Sequence, residues 1–168
     1  MNQITYPYLP KDKAIKYVSA EDQFMKAAKR ACGELSTDRK HPTGAVLVKN
    51  GKILVRAANQ SALKNKQLLK FHQKGWCVRK LLKIPSGQKY WLCPGCASSI
   101  NHSETLVIKK AKQLGIDATG ADIYLFGHWW CCEPCWDSVI GAGIKDVYLL
   151  EGSERFFNPR YPENIIGN

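Results

Sequence analysis

Acidic residues are missing from the middle of this 168-residue chain. No Asp or Glu lies between Arg39 and Ser103, whereas Arg39, Lys40, Lys49, Lys52, Arg56, Lys64, Lys66, Lys70, Lys74, Arg79, Lys80, Lys83 and Lys89 all do. With 25 basic against 14 acidic residues overall, the net charge is +11. Such a field attracts phosphate, on a nucleotide or along a polynucleotide; the alternative is a solvated basic face. Long apolar runs are also absent: nothing approaches the ~20 residues that a membrane helix needs. The start, Met1-Asn2-Gln3-Ile4-Thr5-Tyr6-Pro7, has neither the basic nor the apolar block of a secretion signal. The expected setting is therefore cytoplasmic and reducing, with no membrane partner. There, seven clustered cysteines are better read as metal ligands than as disulfides. The length sets one domain over 1–168, large enough to bury a core.

Two short motifs carry chemistry. His102-Ser103-Glu104 supplies an imidazole and, two residues on, a carboxylate. Cys132-Glu133-Pro134-Cys135 supplies two thiolates at C-x-x-C spacing. One imidazole and two thiolates leave a fourth tetrahedral position on zinc open, as catalytic rather than closed structural sites do. Glu104 would stand beside the metal without needing to bind it, placed to carry a proton.

Along the chain, residues 1–18 with Pro7 and Pro10 read as an irregular lead-in. Ser19 is the expected N-cap of a helix from Ala20 to about Cys32, with Phe24, Ala27, Ala28 and Ala31 at helical spacing and Gly33 as its stop. Cys32 reads as a small buried residue. Thr43–Lys49 and Lys52–Ala58 flank Asn50-Gly51, a pair suited to the positive φ of a type I′ hairpin turn. His102 to about Gln113 is a second helix, and Cys132 to Gly143 a third; Asp122–Phe126 and Asp146–Leu150 are strands. Helices alternating with strands after an opening hairpin predict an α/β fold of three layers, α/β/α, around a mixed sheet.

Residues 60–100 form a basic insert that begins with a short helix around Leu63, Leu68, Leu69 and Phe71. It contains His72, Cys77, Cys93 and Cys96, spaced H-x4-C-x15-C-x2-C. Four such donors in a segment poor in core residues predict a second, closed structural zinc. The alternatives are a redox pair or cysteines that merely pack. Cys131 or His41 stands as a substitute for His72 in the ligand set.

The paired motifs resemble the zinc-dependent cytidine and deoxycytidylate deaminase superfamily, whose signature is H-x-E followed by P-C-x-x-C. Here Cys131 replaces the proline. A second register, Glu133-Pro134-Cys135, would require Ser138 as a ligand and would shift Gly143-Ile144 from its place in relatives, so Cys132 and Cys135 are taken as ligands. The resemblance extends over Phe24 to Asn59, and its closest pattern is that of deoxycytidylate deaminases. It implies a cytidine-deaminase-like fold, a catalytic zinc on His102, Cys132 and Cys135, and Glu104 as proton carrier in hydrolysis at C4 of a cytosine. It implies a hydrogen bond from Asn59 to a sugar hydroxyl, with a local turn bond as the alternative. The backbone N–H of Ser103, or of a residue beside Cys132, would hold the ring carbonyl. Trp129 would line the pocket, unless it closes the core with Trp130. In the tail, Arg155, Phe156, Phe157, Arg160 and Tyr161 would stack on a base, hold a phosphate, or pack at a subunit contact. Homo-oligomers are common in the family. The favoured substrate is dCMP, giving dUMP; the alternatives are a polynucleotide (single-stranded DNA cytosine or transfer RNA adenosine) and a non-catalytic, zinc-stabilised nucleic-acid binding module.

Overall fold

The computed structural model describes residues 7–38, 40–84 and 88–166. The opening segment through Tyr6 and Arg39 of the basic run lie outside the described residues. The element order is β1 (Ile15–Val18), α1 (Gln23–Leu35), β2 (Gly44–Lys49), β3 (Lys52–Ala58), α2 (Lys66–Gln73), α3 (Val78–Leu81), α4 (Ser103–Gln113), β4 (Asp122–Phe126), α5 (Glu133–Gly141), β5 (Val147–Leu150) and α6 (Ser153–Phe157). One five-stranded sheet runs in the order β1-β5-β4-β2-β3. β2 is antiparallel to both β3 and β4, while β4–β5 and β1–β5 are parallel. The sheet is mixed, as expected.

Alternation along β2 shows the three layers directly. Ala45 and Leu47 face a core shared with Val107 and Ala111 of α4 and Trp136 and Val139 of α5. Val46 and Val48 face the opposite core, with Met25, Ala27 and Ala28 of α1. A strand of period two sandwiched between helices must be apolar on both sides, and every residue of β2 but Lys49 is buried. The hairpin turn forms as expected, with Asn50 at φ 52° and Gly51 at φ 72°. Gly44 lets α1 close on the sheet: a Cβ there would lie 2.3 Å from Cys32 N and 2.4 Å from Ala28 O.

Three expectations are corrected. The sheet does not open with the hairpin. Ile15–Val18, within the expected lead-in, pairs in parallel with β5 through Ile15–Val147 and Val18–Leu150. The cap of α1 is Asp22, whose carboxylate accepts from Phe24 N at 2.9 Å and Met25 N at 2.8 Å; Ser19 Oγ instead accepts from Glu21 N. Gly33 does not stop α1, which runs on to Leu35; exposed and free of neighbours, it costs the helix only about 1 kcal/mol relative to Ala. Among the described residues, no helix is long and apolar enough to cross a membrane.

Candidate active site

Two helix N-termini converge to make the site. His102 is the N-cap of α4 and Cys132 the N-cap of α5, neither with a side-chain capping bond. α4 and α5 lie on the same face of the sheet, in contact with each other. The first N–H groups of α4 have no acceptor within their own helix and are free to face a ligand; in α5, Pro134 has no N–H and Cys135 N donates to Cys132 O at 3.0 Å. Glu104 sits in the first turn of α4 and Cys135 in the first turn of α5.

The His102, Cys132 and Cys135 side chains meet. His102 Nδ1 lies 3.5 Å from Cys132 Sγ and 3.4 Å from Cys135 Sγ, and the sulfurs are 3.2 Å apart. Zinc bonds of about 2.1 Å to nitrogen and 2.3 Å to sulfur in tetrahedral array put donors about 3.6–3.8 Å apart, so three donors arranged at these distances suit one zinc with one position left over. Ser138, required by the other register, is half-buried and turns its hydroxyl to Pro134 O at 3.0 Å. Hydrogen bonding with Cys135, against the opposing effect of burial, brings Cys132 down to about 6. The same bond, together with burial, pushes Cys135 well up. Burial works against charge on His102, but its bond to Cys132 and the field of Glu104 outweigh this and raise its pKa.

Glu104 is 5% exposed. Ser103 Oγ donates to its Oε2 at 3.0 Å, and Thr43 Oγ1 lies 2.9 Å from Ser103 Oγ. The single Ser103 hydroxyl hydrogen goes to the carboxylate, so Thr43 is the donor of the second bond. Cys131 is fully buried; burial first, then the charge of Glu104, pushes its thiol well up. His128 Nδ1 accepts from Trp129 N at 3.1 Å and Trp130 N at 3.3 Å, which puts its ring proton on Nε2. Burial lowers its pKa to about 4. Thr43 and His128 escaped the sequence reading as site residues, since nothing in their spacing marks them.

The remaining expected residues lie as follows. Asn59 is 3% exposed. Its Oδ1 accepts from Ser36 Oγ at 2.6 Å and Thr43 N at 2.9 Å, and its Nδ2 donates to His41 O at 2.8 Å. These bonds tie the end of α1 and the approach to β2 onto the end of β3, in place of a local turn bond. Trp130 is buried, whereas Trp129 is half-buried and packs against both cores. In the tail, Phe157 is buried and Arg155 pairs with Glu163.

The insert gathers its four donors as spaced. One donor atom from each of His72, Cys77, Cys93 and Cys96 lies within 4.8 Å of the others, and all four residues are buried. Cys96 Sγ lies 3.6 Å from Cys77 Sγ and 3.5 Å from His72 Nε2, far beyond the ~2.05 Å of a disulfide. Neither Cys131 nor His41 takes the place of His72 in this group. Three thiols and one imidazole are a closed, structural zinc set. Burial pushes Cys96 up to about 12. The insert touches the first group of ligands: the Tyr90 ring meets the His102 ring edge-on at 5.3 Å, and the Arg79 guanidinium lies 4.0 Å from the Tyr90 centroid.

No curated protein matches the chain. Solved structures do. A diaminohydroxyphosphoribosylaminopyrimidine deaminase/5-amino-6-(5-phosphoribosylamino)uracil reductase of Thermotoga maritima is 24% identical over 75% of this chain, with a TM-score of 0.43; the match spans only 28% of that protein. A dCMP deaminase of cyanophage S-TIM5 is 21% identical over 75% of this chain and 78% of its own, with a TM-score of 0.44. A guanine deaminase of Bacillus subtilis is 22% identical over 82% of this chain and 70% of its own, with a TM-score of 0.41. Overlaps of this quality carry no argument about substrate. The model of the cytidine and deoxycytidylate deaminase zinc-binding region matches residues 18–151, a span that holds both motifs and the whole sheet but the first three residues of β1. The chain belongs to the zinc-dependent cytidine and deoxycytidylate deaminase family.

Proposed function

We propose that the protein hydrolyses the exocyclic amine of a cytosine carried on a phosphate-bearing substrate, with water consumed and ammonia released. The observation that supports this best is the buried Glu104 carboxylate, fixed by Ser103 two residues from the ligand His102. His102, Cys132 and Cys135 would hold the catalytic zinc, whose chemistry there would be to lower the pKa of a water nucleophile to about 7. Glu104 would take a proton from the water and pass it to ring N3, then take the proton of the new C4 hydroxyl and deliver it to the amine, which leaves as ammonia as the C4 carbonyl forms. Ser103 and Thr43 keep Oε2 aimed, and the first N–H groups of α4 hold the ring carbonyl. Trp129 and Asn59 line the approach. Asn59 Nδ2 keeps one hydrogen beyond its bond to His41 O, and that hydrogen is the one available to a sugar hydroxyl. His72, Cys77, Cys93 and Cys96 hold a second, structural zinc that folds the insert onto the same single domain.

dCMP is the smallest substrate that meets this description. A cytosine in a polymer is the second form, favoured by the aromatic side chains that the insert exposes. Ammonia release from dCMP, CMP, deoxycytidine, a cytosine-containing oligonucleotide and a transfer RNA anticodon stem-loop separates the forms. Release from none of them would refute the enzymatic reading and leave a binding module.

A further inference from the structure

α2 and α3 fold back on the four-donor group with His72 and Arg79 turned inward and buried. What the insert as a whole exposes is unusual for a surface. Trp76 is 71% and Trp91 78% exposed, with Phe71 more than half exposed. Lys66, Lys70 and Lys74, four residues apart along α2, are all exposed, and so are Lys80, Lys83 and Lys89. No acidic side chain occurs within the segment. Large exposed aromatics mark a surface that is covered in function.

We propose that the outer face of the insert binds single-stranded nucleic acid and leads it to Glu104. Charge selects the occupant. A second copy docking through the same face would set lysine against lysine with no acid to pair, because a two-fold contact is self-complementary. A polyanion meets no such repulsion. The aromatics select further: Trp76, Trp91 and Phe71 offer ring faces to unpaired bases, which a duplex keeps stacked internally. The insert is also fastened to the site. Tyr90, next to Trp91, meets His102 edge-on at 5.3 Å. Arg79 lies 4.0 Å from the Tyr90 centroid and reaches Cys96 Sγ at 3.7 Å. A base stacked on Trp91 is therefore one residue from a group that touches a zinc ligand. Delivery to Glu104 rests on the deaminase reading above; binding to the insert does not.

The test uses the full chain carrying Glu104→Gln, which holds substrate without consuming it. It is titrated by fluorescence anisotropy with labelled dT and U oligomers of about fifteen nucleotides and with a duplex of the same length. The expected result is tighter binding of either single strand than of duplex, with the two sugars distinguished by which oligomer is preferred. Affinity should fall roughly tenfold or more between about 50 and about 200 mM salt. Adding Trp76→Ala or Trp91→Ala should weaken binding roughly fivefold or more at unchanged zinc content. Adding Lys70→Gln with Lys74→Gln should flatten the salt dependence. Duplex bound as tightly as single strand, or tryptophan variants binding like their parent, would overturn the proposal. So would self-association that the tryptophan variants abolish without any oligomer being bound. Ammonia release from dCMP without oligomer binding would remove the insert proposal alone; oligomer binding without ammonia release from any substrate would remove the enzymatic reading alone.

Discussion

The Ser103 hydroxyl donates to Glu104 Oε2 at 3.0 Å, and the Thr43 hydroxyl backs it at 2.9 Å. Thr43, the residue before β2, thereby reaches the proposed catalytic carboxylate through one intermediary, which makes Ser103 a positioning residue in that proposal. A hydrogen bond to a charged group contributes about 1.5–3 kcal/mol. Ser103→Ala is expected to lower kcat roughly 10- to 100-fold, with zinc content and KM little changed. Steady-state kinetics and metal analysis check this; lost zinc or a falling thermal midpoint would show a merely structural role.

His128 gives the fold an acid-sensitive point. Its folded pKa is lowered to about 4, whereas an unfolded histidine titrates near ~6.5. Between those values the unfolded chain binds more protons than the folded one, so stability falls as pH drops from about 6.5 towards about 4. Denaturant midpoints at pH 7 and pH 5, compared between the wild type and His128→Gln, isolate this group. A smaller loss in the variant is expected, and identical losses would contradict it.

Gly44 controls how closely α1 approaches β2. The Cβ of Gly44→Ala would meet backbone atoms of Ala28 and Cys32 below 2.5 Å, and backbone cannot swing aside as a flexible side chain does. Overpacking of this kind costs about 1–3 kcal/mol or more. Gly44→Ala should lower the thermal midpoint by several degrees, whereas Gly33→Ala, which meets nothing within 4 Å, should leave it level or raise it slightly.

The second zinc is tested by Gly95→Ala. The added methyl would sit 2.3 Å from His72 Cδ2 and displace that ligand. Metal analysis should give two zinc ions per wild-type chain and about one in Gly95→Ala and in Cys93→Ser, with the thermal midpoint lowered. One zinc in fully active wild-type protein would remove the second site.

Both donor clusters were legible in the sequence because each is announced by a C-x-x-C pair with an imidazole at a distance the chain can close. The hairpin was legible because Asn50-Gly51 adopts positive φ at both positions. β1 was not: four residues, Ile-Lys-Tyr-Val, none fully buried, give too short a pattern, and only pairing with β5 far along the chain makes them a strand. The α1 cap went to Asp22 rather than Ser19 because both residues can cap, and only the helix register decides between them. The edge of Tyr90 on His102, and the Thr43 hydroxyl on Ser103, depend on long-range closure that spacing does not encode.

The account rests on Glu104 as the proton carrier beside His102, Cys132 and Cys135. The most direct measurement is ammonia release by Glu104→Gln, alongside its zinc content and circular dichroism. The account predicts wild-type zinc and fold with turnover reduced to background. Turnover near the wild-type rate in a protein that keeps its zinc would contradict it.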